Sequence, residues 1–326
     1  MSKNLKHLVF VFLLGSIFNL NAQQLAQFTQ DMVNPYLVNP AFSGVEDFLD
    51  IKMGVRNQWV GIDGAPATRY LSAHSGLGKT HYARTKQNDY HNWHGVGGVF
   101  INDQAGNIKT NSLYANYAYN LKLTEGKGYN RHHSDGMRLA LGTFIGVTKY
   151  GLDASKLTFE NSVGEQAGSS SLTKMVPDAS IGGMIYQKDK FYAGMSVMNI
   201  LGTKVTGVTS GASELSRFVR HYYFIGSYKF PVGNDLYLMP TLVGRYAAPL
   251  PLSVDVNLRL DYKDIVFGGI SYRNQDAIAL LLGVVYNDMI EVAYSYDITI
   301  SELRPYSKGT HEIVIGARIH PRIYAR

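Results

Sequence analysis

Ten histidines and no cysteine bound the chemistry open to this chain. His91 and His94 are three residues apart with His81 nearby, and His132 and His133 are adjacent. A metal centre needs imidazoles aimed together and a third ligand at matching spacing. These histidines lie in polar connections rather than on one helix face, and no acidic residue is spaced to complete the set. They are expected to be solvated loop histidines, with no metal. Ser72, His74 and Ser75 raise a second chemistry, nucleophilic hydrolysis. That reaction wants a G-x-S-x-G elbow or an equivalent base–acid arrangement, and none is present. The glycine pairs Gly97-Gly98 and Gly268-Gly269 are not phosphate loops, because no helix start follows them. No enzyme and no cofactor are expected. The absence of cysteine excludes disulfides and thiolate sites. The formal charge of +6 is not gathered into a basic stripe, so no nucleic-acid partner is expected either.

The elements that would carry these residues have a strand period. In Leu252–Asp261, Leu252, Val254, Val256, Leu258 and Leu260 alternate with Ser253, Asp255, Asn257, Arg259 and Asp261. Extended backbone throws successive side chains to opposite faces, so one face is apolar and the other wet. Glu291–Ile300 repeats the pattern without error. Further strands are predicted at Asp50–Val60, Ala67–Leu77, Gly95–Asn102, Asn111–Leu123, Met137–Tyr150, Ala179–Gln187 and Phe191–Ile200. The remainder are Arg220–Phe230, Leu236–Ala247, Ile265–Arg273, Ala277–Tyr286 and His311–Ile319. That makes fourteen strands with almost no helical period. At close to ten residues they are long for a soluble sandwich and suited to crossing a bilayer at a tilt. Aromatic residues gather toward strand ends, where membrane interfaces would hold them. The expected fold is all-β: an antiparallel transmembrane β-barrel of about fourteen strands, closed so that no edge meets lipid, with a short N-terminal segment outside the barrel.

Lys3 and Lys6 precede an apolar run, Leu8–Leu20, and Ala22 offers a small residue for cleavage. The run is short for a membrane span and reads as a removed export signal, residues 1–22. Residues 23–48 would form a periplasmic or plug-like segment, 49–320 the outer-membrane barrel, and 321–326 a tail. With both termini periplasmic, odd-numbered connections should be the long ones. Gly151–Asp178, Leu201–Val219 and Ser301–Thr310 obey, whereas Gly78–His94 and Thr124–Gly136 are long on the wrong side. Either one pair of strands is miscounted or the barrel keeps sizeable periplasmic connections, and the second is favoured. The inward file carries ionisable groups, among them Lys122, Arg138, Asp255, Arg259, Glu291, Asp297, Glu312 and Arg318. The simplest expectation is a polar lumen with charges paired between neighbouring strands, Glu291 and Asp297 facing Glu312 and Arg318. A selectivity surface for something passing through is the alternative.

One run exceeds generic barrel grammar. It comprises Gln27-Phe28-Thr29-Gln30-Asp31-Met32, then Asn34-Pro35 and Asn39-Pro40-Ala41-Phe42-Ser43-Gly44. Arg56-Asn57-Gln58-Trp59-Val60-Gly61-Ile62-Asp63-Gly64-Ala65-Pro66 follows it. Each Asn-Pro step favours a turn. Trp59 and Val60 would end a strand at the bilayer edge, Gly61, Gly64 and Pro66 would fold a tight cap, and Asp63 would bond local backbone there.

This run resembles the PorP/SprF family, outer-membrane proteins of the type IX secretion system and gliding machinery of Bacteroidetes. Tyr294-Ser295-Tyr296-Asp297, Ser301, Leu303 and Gly309-Thr310-His311-Glu312-Ile313 are similar to that family's closing strands. The tail Pro321–Arg326 departs from barrels that finish on an aromatic residue. The resemblance implies a non-enzymatic barrel serving protein export or surface attachment. Its implied partners are outer-membrane lipid, secretion components on the periplasmic side, and the C-terminal domain of a secreted or surface-attached cargo such as an adhesin. Members like PorP belong to the core apparatus and members like SprF serve one adhesin. The second role is favoured here because genomes with this family often carry many paralogues. A diffusion barrel for small or hydrophobic solutes is the reading from another class.

Overall fold

The computed structural model describes residue 29 and residues 31–79, 92–124, 136–153, 172–206 and 214–320. The export-signal reading, His81, His91, His132, His133 and the tail 321–326 therefore lie outside the described residues. Seventeen strands are defined in the described residues. They begin with β1 (Leu49–Asn57), β2 (Ala67–Leu77), β3 (Trp93–Ala105), β4 (Ile108–Lys122), β5 (Arg138–Leu152) and β6 (Leu172–Gln187). There follow β7 (Phe191–Met198), β8 (Lys204–Thr206), β9 (Glu214–Arg217), β10 (His221–Tyr228), β11 (Phe230–Gly233) and β12 (Leu236–Tyr246). The last are β13 (Ser253–Tyr262), β14 (Val266–Arg273), β15 (Ala277–Tyr286), β16 (Ile290–Thr299) and β17 (Thr310–Ile319).

Fourteen of these pair antiparallel into one closed ring: β1–β7, β10 and β12–β17. β10 pairs with both β7 and β12, and β1 pairs with β17, so the ring has no free edge. β11 is an extra strand added along the end of β12, and β8 with β9 forms a separate two-stranded sheet. The fourteen strands expected from alternation are the ring strands. With that number settled, the long connections after β2 and β4 do leave from the same end as the start of β1 and the end of β17. That end is called the terminal end below, and the opposite one the loop end.

Alternation explains the ring. On β15, Leu280, Leu282 and Val284 face outward and Leu281 inward. On β17, Ile313 and Ile315 face outward beside buried Glu312 and Val314. Outward aromatics mark two belts, Tyr222, Tyr246 and Tyr272 toward the loop end, and Tyr228, Phe230, Tyr262 and Tyr286 toward the terminal end. The belts bracket an apolar band, which is the arrangement lipid demands of a closed sheet. The ring is uneven in height. β4, β5 and β6 have 15, 15 and 16 residues, against 8 to 10 in β13–β17. At roughly 3.3 Å per residue, those strands run about 16 Å longer, and the excess lies toward the loop end. The expected start of β6 at Ala179 was late by seven residues. Pro177 and Asp178 interrupt the apolar file there, yet both pair with β5, and Val176 is buried.

Residues 31–48 do not join the sheet. They run down inside the ring from the loop end to the start of β1, with two short 3-10 turns, Pro35–Leu37 and Pro40–Phe42. Met32, Val33, Tyr36, Leu37, Val38, Ala41 and Phe42 are all buried and supply much of the core. The sequence left open whether this segment fills the lumen or reaches away from it. It fills the lumen.

Candidate functional site

The site is the lumen and the segment lodged in it. Both Asn-Pro steps act as stitches. Asn39 caps its own 3-10 turn by accepting from the Ala41 N–H at 3.0 Å, and its amide lies 3.4 Å from the carbonyls of Gly183 and Met195. The Asn34 amide donates to Ser72 Oγ at 2.9 Å. Asn116 and Asn120 on β4 donate to the carbonyls of Pro40 and Ser43 at 3.2 and 3.3 Å, and Ser196 donates to the Val38 carbonyl. A segment without sheet partners thus has its backbone groups met by side chains from the wall. Pro35 and Pro40 each open a 3-10 turn, a position where proline's missing N–H is not needed.

The wall is cut to fit. A Cβ on Gly95 would lie 2.1 Å from the Ser43 carbonyl oxygen, one on Gly142 2.5 Å from Pro40, and one on Gly182 2.1 Å from Asn39 Oδ1. These glycines stand on β3, β5 and β6, so that side of the ring is moulded against the segment.

On the opposite half, ions hold it. Arg56 on β1 reaches Asp297 on β16 and Glu312 on β17, each at 3.0 Å, with the three side chains 2% exposed or less. Thr29 completes the cluster. Its backbone N–H donates to Glu312 at 2.8 Å, its hydroxyl donates to Asp297 at 2.5 Å, and Arg56 donates to that hydroxyl. A second cluster joins Arg245 to Asp31 and to Asp255 (2.7 Å), with Arg273 bridging Asp255 (3.2 Å) and Asp276 (3.0 Å). The expectation of neighbouring-strand pairing holds for Glu291 and Arg318, 3.0 Å apart. It holds too for Glu312, which meets Arg56 across the neighbouring pair β17–β1, and it is corrected only for Asp297, whose cation lies two strands away. Both acids turn to Arg56, because two carboxylates side by side need a cation between them. Buried pairs of this kind add little net stability over apolar packing, but leaving one partner alone costs about 3–5 kcal/mol. They specify where the segment sits.

At the terminal end the segment leaves past Gly44, whose carbonyl accepts from Trp93 Nε1 at 2.8 Å. Lys79 donates to the carbonyls of Val45 and Glu46 and to Asp47, all within 2.9 Å, and Lys188 meets Asp47 at 2.5 Å. Burial alone would raise the Asp47 pKa, but the two lysines outweigh it and hold the carboxyl at about 2. Burial lowers Lys79 to about 8.

The run from Arg56 to Pro66 divides between two jobs. Arg56 belongs to the lumen latch, and Gln58 is buried with its N–H on the Pro66 carbonyl at 2.9 Å. Asn57 is exposed on the outer face. Trp59 takes φ 42°, with its N–H on Thr310 Oγ1 at 3.0 Å. Gly61 and Gly64 take φ 103° and 74°, conformations that L residues rarely adopt. The Val60 N–H donates to Gly309 and its carbonyl accepts from Lys308, so the cap leans on the connection before β17. Asp63 is exposed and makes no hydrogen bond among the described residues, which corrects its expected role in the cap. Backbone bonds from Ile62 to Trp59 and from Ala65 to Ile62 fold the turn without it.

The residues that first raised catalysis are absorbed by this packing. Ser72 accepts from Asn34 and faces the Lys52 carbonyl, while the His74 ring packs 4.4 Å from that of Tyr36, with Nε2 3.7 Å from Asp50. No grouping of three His, Asp or Glu that could hold a metal occurs among the described residues. His94 lies on the outer face, bonded to Tyr117 at 2.7 Å. Thr29, Asp31, Arg245 and Arg273 were not picked out from sequence as lumen groups. Arg245 and Arg273 do sit on inward files, and Thr29 and Asp31 stand inside the conspicuous N-terminal run.

Beneath the segment the lumen opens toward the terminal end as a cavity of about 1180 Å³. Met32 to Tyr36 roof it. One wall is apolar, with Phe42, Met184, Tyr192, Met239 and Val285, and another is ionic, with Asp50, Lys52, Glu291 and Arg318. Arg259, paired with Asp261 at 2.6 Å, donates to the Met32 carbonyl at 3.2 Å and stacks 3.9 Å over Phe267.

No curated protein matches the chain. Among solved structures, the Ralstonia pickettii toluene transporter TbuX is 10% identical, with a TM-score of 0.49 over 93% of this chain and 100% of that one. The CymD monoaromatic hydrocarbon channel is 11% identical, with a TM-score of 0.47 over 91% and 94%. A family model described as type IX secretion system membrane protein PorP/SprF matches residues 20–317. That match runs from ahead of the lodged segment to the closing strand, and on it the chain belongs to the PorP/SprF family of type IX secretion system membrane proteins.

Proposed function

We propose that this barrel is a closed docking component of the type IX secretion system in the outer membrane. It would support the secretion or surface attachment of a cargo protein, such as an adhesin through its C-terminal domain, and would carry out no catalysis. The observation that carries this reading is the lodged segment. Residues 31–45 occupy the lumen from the loop end, held by 3-10 turns, side-chain stitches and the Arg245 ion cluster at Asp31, with Thr29 just ahead of them held by the Arg56 cluster. A polypeptide or a solute would have to displace them to pass. Partners are therefore met on the two end faces. The terminal end would face the periplasm and the secretion machinery, and the loop end, with its tall β3–β6 wall and cap at 58–66, would face the cargo. The family membership supports the first contact, and the exposed Val60, Asp63 and Tyr306 of the cap region support the second.

Affinity purification of a tagged copy from outer membranes, with mass spectrometry of what accompanies it, tests the proposal. A large surface protein or its C-terminal domain is expected with the barrel. Secretion components without cargo would move the role to the core apparatus. Neither, together with solute flux through the purified barrel in liposomes, would replace docking by transport.

A further inference from the structure

The outward face of a barrel in lipid should carry little charge, and here the exceptions fall together. Among the described residues, the ring strands turn three charged side chains outward: Arg69 on β2, Lys109 on β4 and Lys149 on β5. All three are exposed cations. Every other Lys, Arg, Asp and Glu described on a ring strand stands on the inward file. The acids nearest the patch are among these: Asp103 accepts from Thr68 and Asp178 from Tyr114. Asp153, the next acid after Lys149, comes only once β5 has ended.

Register draws the cations into one patch. Arg69 pairs with Asn102, Asn102 with Asn111 and Asn111 with Lys149, while Lys109 lies two residues from Asn111 on the same file. Arg69 donates to Asn102 Oδ1 at 3.4 Å, and Asn102 Nδ2 donates to Asn111 Oδ1 at 2.7 Å. These partners are neutral amides, so they leave the positive charge uncancelled. At about 4.8 Å per strand, Arg69 to Lys149 spans roughly 14 Å. The adjoining row toward the terminal end is Leu71, Phe100, Leu113 and Val147, paired in the same register and 39% to 59% exposed. Apolar surface thus gives way to positive charge within two residues, or about 7 Å along a strand. A lipid presents its groups in the same order, acyl chain and then anionic headgroup, and long cationic side chains reach readily between the two. Elsewhere on the ring, β10, β12 and β14 reach the loop end with outward Tyr222, Tyr246 and Tyr272 instead.

We propose that Arg69, Lys109 and Lys149, with the amides of Asn102 and Asn111, hold the phosphate of a glycolipid headgroup in the outer leaflet. Its acyl chains would lie on Leu71, Phe100, Leu113 and Val147. Phosphate accepts charge-assisted bonds from guanidinium and ammonium groups at once. An acidic polypeptide would match the cations but would bring no acyl chain to the apolar row below them. The inference rests on the loop end facing outward, as the docking role has it, and adds a lipid partner on one side of the barrel.

The test is native mass spectrometry of the delipidated barrel titrated with lipid A bearing two phosphates. Binding is expected, and Arg69→Gln, Lys109→Gln and Lys149→Gln together should weaken it at least about tenfold. A control removes equal charge from the connections, Lys190→Gln, Lys263→Gln and Lys308→Gln, and should bind as the unmodified protein does. Heat-modifiable migration in gels checks that each barrel closes. An equal loss in the control, or equal binding of dephosphorylated lipid A, overturns the phosphate site. Equal binding of phosphatidylglycerol overturns its assignment to the outer leaflet. Full lipid binding by the triple variant, with loss of a co-purifying protein, makes the patch a protein surface and overturns the inference. The chain has no cysteine, so Tyr306→Cys reports orientation through labelling of intact cells with an impermeant maleimide. Labelling is expected, and its absence overturns both this inference and the orientation in the docking proposal. Failure to co-purify a partner, with lipid binding intact, overturns the docking role alone.

Discussion

Arg56 and Glu312 stand 256 residues apart in the chain, yet Arg56 Nη1 donates to Glu312 Oε2 at 3.0 Å. They are also direct partners in the register of β1 with β17, the pairing that closes the ring. The same guanidinium reaches Asp297 and the Thr29 hydroxyl. One arginine therefore ties barrel closure to the seating of the N-terminal segment.

Arg56→Met leaves Asp297 and Glu312 buried without their cation, and a stability loss of about 3–5 kcal/mol is expected. Adding Asp297→Asn and Glu312→Gln removes the uncompensated charge and should recover most of it. Urea midpoints of the refolded barrel measure both. An unchanged midpoint for Arg56→Met would show that the cluster is solvated rather than buried.

Gly182→Val puts carbon where Asn39 Oδ1 now lies, 2.1 Å from an ideal Cβ. The ring has other strands to hold it, so the segment should yield first. We expect protease cleavage within residues 31–45 and a rise in ion conductance in planar bilayers, with heat-modifiable migration preserved. Gly226, whose nearest contact for a Cβ is at 3.8 Å, is the control position. Equal leakage from Gly226→Ala would mean the segment does not seal the lumen.

Trp59→Ala and Asp63→Ala should impair cargo display more than barrel assembly. The cap is folded by backbone bonds that neither side chain supplies. Surface labelling of cargo, set against barrel content of the membrane, measures the ratio. Normal display in both variants would remove the cap from the mechanism.

Asp47 binds a proton less readily in the folded chain, at about 2, than in an unfolded one, at about 4. Its anchoring of the segment to Lys79 and Lys188 is complete above about pH 4 and is lost as pH falls from there toward 2. Hydrogen exchange of the amides from Phe42 to Asp47 should stay slow at pH 5 and speed up near pH 3, beyond the intrinsic pH dependence. Asp47→Asn should abolish that step.

Leu282 is 68% exposed in the middle of β15. Leu282→Arg there should destabilise folding into lipid by about 2–4 kcal/mol. An arginine at inward Ser271 should act only through the lumen. Refolding yield into vesicles separates the two, and equal yields would argue against the outward face meeting lipid.

Much of the barrel was legible in residues taken two at a time. Leu252–Asp261 and Glu291–Ile300 show their faces without any partner, because the side-chain period of a strand is a local property. Fourteen such runs, their length and their aromatic ends settle a membrane-spanning ring, since only closure satisfies every backbone group in lipid. The turn at 58–66 was readable for the same reason, as Gly61 and Gly64 answer to local backbone conformation. Where local order was broken, as at Pro177 and Asp178, the reading fell short.

What fills the ring was not legible in that way. Asn34 and Asn39 announce turns, but that they stitch to Ser72, Gly183 and Met195 depends on chain brought from far along the sequence. The choice of Arg56 over Arg318 as the cation for Asp297 and Glu312 follows from register and from where Thr29 comes to rest. Alternation tells which side chains point inward, whereas which of them meet across a lumen is decided by ring closure, stagger and the bulk of the segment inside. Sequence alone determined the barrel, its faces and its family resemblance. Only the tertiary structure decided that the segment lies in the lumen and is latched there, because those are contacts between residues that local period cannot relate.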